Sequence, residues 1–337
     1  MSHPARGVCP PGFVHLALGE LTVATETDEP CLLAALAGVS WPDAVVSDGE
    51  MAAFVVLEAR DERGLAEEAA RLCAGASDAL IVGEGLRAEA ALTLLLSEEG
   101  PAYVIEGCGV ATVSPDWSGI RIGLLPEVAA TLAAWELIAT VFQDLAAHHG
   151  YHALHASMAE REGRAVLFCG EKARGKSTSC LALGRAGWTV RCDDRCYVRP
   201  HPKPLTVWGP ARDIRLRTDL REFWPEVGEV LDREGRWTTK GILPMASLVP
   251  QWGPGHSRPH VLFLPEVSGG EGHRVEPLSP ATAMQELLSA TGIAMVPAHA
   301  ASHFAAVADL VESTTSYRLY LGRDMSALPA VVEELLR

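Results

Sequence analysis

Short apolar runs broken by polar turns dominate the first third of the chain. Val14–Glu26 alternates in the manner of a strand or hairpin, and Ala53–Glu58, Ala79–Gly83, Tyr103–Val113 and Ile120–Leu124 read as strands. Asp61–Leu72 opens with acidic residues and has helical spacing, and Leu86–Leu96 is predicted as a second helix. The longest helical stretch runs from Pro126 to His148, with proline in its first turn and Gly150 closing it. Its charges at Glu136 and Asp144 mark an amphipathic helix rather than a bilayer span.

Beyond residue 150 the rhythm changes. Ala153–Met158 and Arg164–Phe168 flank a polar turn, Glu160–Gly163. A glycine-led loop, a helix (Ser177–Arg185), Gly187 and a strand (Trp188–Cys192) follow. Leu205–Trp208, Val261–Leu264 and Tyr317–Leu321 suit strands, while Ser279-Pro280 opens one helix and Ser326–Leu336 forms another. The pattern predicts an α+β N-terminal domain over 1–125 and an α/β domain over 126–337, with the long helix as bridge.

The charge divides the same way. The 337 residues carry −15 overall. Residues 1–150 hold six Arg, no Lys and 22 Asp or Glu, a balance of −16, whereas 151–337 balance at +1. Within the second part, Arg161–Arg221 has 14 basic and six acidic residues, a local +8 suited to ATP and an anionic acceptor. The acidic total argues against broad nucleic-acid binding. No apolar leader or membrane-spanning run is evident, and eight cysteines are scattered without a scaffold spacing, so we expect a cytoplasmic protein with free thiols and no membrane partner.

Residues 170–177 read Gly170-Glu171-Lys172-Ala173-Arg174-Gly175-Lys176-Ser177, the G-x4-G-K-[ST] phosphate loop, followed by Thr178. Glycines let backbone N–H groups close around phosphate oxygens, and the helix that follows aims its positive end at the same anion. Lys176 is placed to reach the β- and γ-phosphates, and Ser177 to ligate Mg²⁺. Asp193 and Asp194 follow the next strand, and His155 precedes the loop by 15 residues.

With these intervals, His149–Arg199 resembles the HPr kinase/phosphorylase family, whose kinase core shares the phosphoenolpyruvate carboxykinase fold. The resemblance implies a P-loop kinase of that type, with ATP and Mg²⁺ as cofactors and a homo-oligomeric assembly. It implies Asp193 as general base, Asp194 with Ser177 on the metal, and His155 beside the γ-phosphate. The chain departs from the family at Glu171-Lys172 and at Ala173, where glycine is usual. It also lacks the glycine-rich segment after the Asp pair that serves phosphorolysis. These departures point away from HPr and toward diverged relatives that phosphorylate a serine or threonine hydroxyl of a peptide, protein or small molecule. Some of those relatives sit in peptide natural-product pathways. The competing reading is a non-catalytic module that binds ATP as a sensor.

Weaker signals surround this core. Arg215, Arg217, Arg236 and Lys240 are further cations that could serve phosphates. His148 and His152, spaced i,i+4, could hold zinc only on an unbroken helix. Cys192 and Cys196 flank the Asp pair, and Gly83-Glu84-Gly85 reads as a turn.

Overall fold

The computed structural model describes residues 13–18, 21–27, 32, 50–82, 91–129, 131–211, 213–217, 220–221, 223–234, 236–237, 241–290 and 296–336. The chain divides into two units, Met1–His149 and Gly150–Arg337. The division falls after the long helix rather than near residue 125.

In the first unit eight strands form one sheet: β1 (Phe13–Leu18), β2 (Leu21–Thr27), β3 (Glu50–Ala59), β4 (Asp78–Val82), β5 (Leu92–Ser97), β6 (Gly100–Ile105), β7 (Gly109–Val113) and β8 (Gly119–Leu124). Their order is β1-β2-β3-β8-β7-β6-β5-β4, with β3 parallel to both β2 and β8 and every other pair antiparallel. Helix α1 (Glu62–Gly75) is capped by Asp61, whose carboxylate accepts from the Gly64 amide. Helix α2 (Leu132–His148) is capped by the Thr131 hydroxyl. The helix expected over 86–96 does not form across its described second half. Leu92–Ser97 is instead a strand between β4 and β6, because three leucines at 92, 94 and 95 are better buried by antiparallel neighbours than on a free helix face.

The second unit is α/β with mixed sheets. Its strands are β9 (His152–Leu154), β10 (Ala156–Arg161), β11 (Arg164–Cys169), β12 (Thr189–Cys192), β13 (Cys196–Arg199), β14 (Thr206–Gly209), β15 (Asp213–Leu216), β16 (Arg236–Trp237), β17 (Gly241–Pro244), β18 (Gly255–Val267), β19 (Arg274–Pro277) and β20 (Thr315–Leu321). The main sheet runs β12-β10-β11-β18-β14-β13-β9, with β20 joining β18 and β19, and β15-β17-β16 form a small separate sheet. Strands β11, β18 and β20 are parallel, so their C-terminal ends open on one side.

Within that trio the central runs Ala165–Cys169 and Val261–Leu264 are apolar without interruption because both faces are covered. Val166, Phe168, Val261 and Phe263 pack with α3 (Lys176–Arg185) and with a later helix (Leu328–Leu335). Ala165, Leu167, Cys169, Leu262 and Leu264 face Ala283 and Leu287 of one helix (Pro280–Ala290) and Ala306 and Leu310 of another (Ala300–Ser313). No helix among the described residues is long and apolar enough to cross a membrane.

Candidate active site

The loop 170–175 leaves the end of β11 and enters α3, and its backbone bends where the sequence permits. Gly170 and Gly175 take φ +121° and +98°. The angle favours glycine at 175, where a Cβ would also lie 2.3 Å from Leu321 Cδ1 and displace the end of that side chain. Ala173, where the resembled family carries glycine, adopts φ +63°, a conformation costing an L-residue about 1 kcal/mol. Lys176 is buried, and its Nζ donates to the carbonyls of Gly170 (2.7 Å) and Glu171 (2.8 Å) across the loop it closes.

Asp193 and Asp194 leave β12 in a turn, with Asp194 at φ +70°. Their environments differ. Asp193 is 5% exposed, and both of its oxygens are engaged. Oδ1 accepts from Ser157 Oγ at 2.5 Å and Oδ2 from the Arg215 amide at 2.8 Å, and the Ser177 hydroxyl also bonds this carboxylate. Burial first, and Asp194 second, push the Asp193 carboxyl above its ordinary value, and these three donors pull it back. Asp194 faces outward, accepting from Arg215 Nη1 at 3.0 Å with His155 Nε2 3.6 Å from its other oxygen. Arg215 thus holds one carboxylate by its backbone and the other by its guanidinium.

A cavity of about 410 Å³ lies over this arrangement. Its polar lining comprises Lys176, Ser177, Thr178, His155, Asp194, Arg215 and Arg217. Leu216, Leu220, Phe223, Val267, Leu321 and Met325 supply an apolar wall. Phe223 and Val267 are 43% and 62% exposed, large apolar groups the core does not use. Asp193 does not line the cavity.

The remaining residues of the predicted loop point elsewhere. Gly170, Glu171 and Arg174 line a second cavity of about 440 Å³ with Glu266, Glu286 and Arg318, and Arg174 pairs with Glu171 at 3.4 Å. Lys172 is exposed and lines neither cavity. The side chain of Arg236, Lys240 and Gly83-Glu84-Gly85 lie outside the described residues. The histidine spacing makes no zinc site: α2 ends at His148, which stacks on Trp117, and His152 belongs to a strand. Among the described residues no cluster of three or more His, Cys, Asp or Glu is placed to hold a metal. Burial raises the Cys169, Cys180 and Cys192 thiols, which keeps them protonated and inert.

Sequence reasoning missed Ser157 and the apolar wall. A lone serine inside the buried run of β10 was the available signal for the first. The wall is assembled from segments far apart in the chain, so no local pattern announces it.

A family model described as "SynChlorMet cassette protein ScmC" matches residues 125–204, which contain His155, the loop and the Asp pair. No curated protein matches the chain. Among solved structures, the chain is similar to the Hpr(Ser) kinase/phosphatase from Coxiella burnetii, at 16% identity and a TM-score of 0.29, over 55% of this chain and 94% of that one.

Proposed function

We propose that the second unit is an ATP-dependent phosphotransferase of the HPr-kinase-like type, which moves the γ-phosphoryl group onto a hydroxyl of a peptide, protein or small molecule. One observation carries the reading: a buried lysine closing a glycine loop shares a single cavity with Ser177, Asp194 and His155. The Lys176 ammonium donates to two loop carbonyls, and a β/γ-phosphate entering the cavity takes over those bonds with a full negative charge. The N-terminus of α3 adds its amides to the same anion. The apolar wall supports the nucleoside base, which is planar and needs a dry face.

The donor set also fits magnesium. Ser177 Oγ and the two carboxylates are hard oxygens, and this ion is usually held by one or two carboxylates plus substrate phosphates rather than by a protein cage. When bound, Mg²⁺ neutralises phosphate charge. The division of labour within the pair follows access. Asp194, open to the cavity, accepts the acceptor's proton, and Asp193, bonded to Ser177, belongs with the metal. This reverses the roles implied by the resemblance. Asp194 is steered by Arg215, and His155 is positioned to donate to the transferring group.

The acidic first unit fits a basic peptide or protein as acceptor, by charge complementarity. The test is incubation with Mg·ATP and pools of peptides and free hydroxy amino acids, read by mass spectrometry. A phosphate mass increment on a hydroxyl is expected, and ATP left unconsumed with every acceptor would favour a nucleotide sensor.

A further inference from the structure

We infer that Ser157 is a positioning residue that locks the Asp193 carboxylate against the Ser177 hydroxyl, and so sets how tightly the metal–nucleotide complex is held. The inference rests on the phosphotransferase reading.

Ser157 sits in β10 between Ala156 and Met158, and all three are fully buried. A hydroxyl in such a run costs free energy unless it is hydrogen-bonded, and alanine or valine would suit the core better. Its hydroxyl donates to Asp193 Oδ1, at 2.5 Å. Strand β10 is itself fixed on both sides. Ser157 is in register with Phe168 of β11, the strand that feeds the loop, and Met158 with Cys192 of β12, the strand that feeds the Asp pair. The serine therefore ties the carboxylate to the neighbour of the strand that carries the phosphate loop.

With the Arg215 amide on Oδ2, the Ser157 bond leaves the carboxylate no freedom to rotate. Without it, Asp193 keeps two donors but can turn about its Cβ–Cγ bond, and the Ser177 hydroxyl loses a fixed partner. Ser177 would then be oriented less well toward a cation, while Lys176 and the loop amides would be untouched. The consequence is selective: metal-assisted nucleotide binding weakens, and metal-free nucleotide binding does not.

The experiment is calorimetric titration of ATP, with Mg²⁺ and with EDTA, into wild type and three variants. Ser157→Ala removes the hydroxyl, Ser157→Cys keeps the volume with a weak donor, and Ser157→Thr keeps the hydroxyl. We expect Ser157→Ala and Ser157→Cys to lose about tenfold of the Mg²⁺-dependent gain in ATP affinity, with the EDTA value unchanged and Ser157→Thr restored. An undiminished Mg²⁺ gain in the Ala and Cys variants overturns the inference. So does an equal loss with and without Mg²⁺, which would mark a purely structural role. If Ser157→Ala does not fold, the Cys variant decides alone. Wild type that binds no ATP in either buffer would sink the phosphotransferase reading instead.

Discussion

In the first unit the fully buried Asp144 carboxylate accepts from the equally buried Tyr103 hydroxyl at 2.7 Å, and burial with this carboxylate pushes the phenol well above its usual value. In the second unit Lys176 and Asp193 are almost as buried, yet Lys176 lines a cavity together with Asp194, and the partners of the buried pair are loop carbonyls, Ser157 of β10 and the Arg215 amide of β15. Tyr103–Asp144 joins a strand to a helix, and neither residue lines the cavity lined by Lys176. The Lys176–Ser177–Asp193–Asp194 group is held from outside and leaves one carboxylate and one ammonium beside open space. Burial of charge alone therefore does not mark a site; burial with one unshielded side does.

The comparison can be broken in several places. Lys176→Ala carries the largest effect: nucleotide affinity should fall by about 100-fold or more, since a charged partner of a buried phosphate is lost. The ATP-induced rise in Tm should vanish with it, and a preserved rise would contradict the loop assignment.

Next in size is a pH effect at a histidine that does not line the cavity. His152 is 2% exposed and, by burial and then by its neighbours His303 and His299, is lowered to about 4. The unfolded chain takes up that proton near the ordinary histidine value, so the unfolded state binds more protons between the two. Stability is complete above about pH 6.5 and is lost as pH falls toward 4, by about 3 kcal/mol in all. Chemical denaturation across that window checks it, and His152→Leu should flatten the slope; an equal slope in both proteins would assign the protons elsewhere.

Tyr103→Phe sharpens the contrast from the other side. It should cost about 1–3 kcal/mol of stability by removing a donor from the buried carboxylate, while nucleotide affinity stays unchanged. A changed affinity would mean that the pair is not merely structural. The smallest expected effect belongs to the apolar wall. Phe223→Ala should weaken ATP by about tenfold and leave inorganic tripolyphosphate unaffected, as stacking contributes about 1–3 kcal/mol per base. Equal losses for both ligands would place the base elsewhere.

Much of this was legible before folding. The loop 170–177, the Asp pair and His155 stand in short, regular intervals, and a strand–loop–helix pattern carries them without help from distant residues. The helix predicted over 86–96 failed in its second half because leucines at 92, 94 and 95 satisfy either period, and only neighbouring strands choose between them. The α4 helix (Pro225–Glu234) went unread behind an acidic, proline-led start. Asp193 and Asp194 are indistinguishable as letters. What separates them is a left-handed φ at Asp194 and the inward bonds of Asp193, both products of the fold.

The most direct measurement compares phosphoryl transfer from radiolabelled Mg·ATP to hydroxyl acceptors by wild type, Asp193→Asn and Asp194→Asn, with ATP affinity measured on the same samples. The account predicts that Asp194→Asn binds Mg·ATP within a few-fold of wild type and transfers nothing measurable, whereas Asp193→Asn loses the Mg²⁺-dependent part of binding. Transfer by Asp194→Asn at the wild-type rate, or ATP binding by wild type with no transfer to any acceptor, would contradict it.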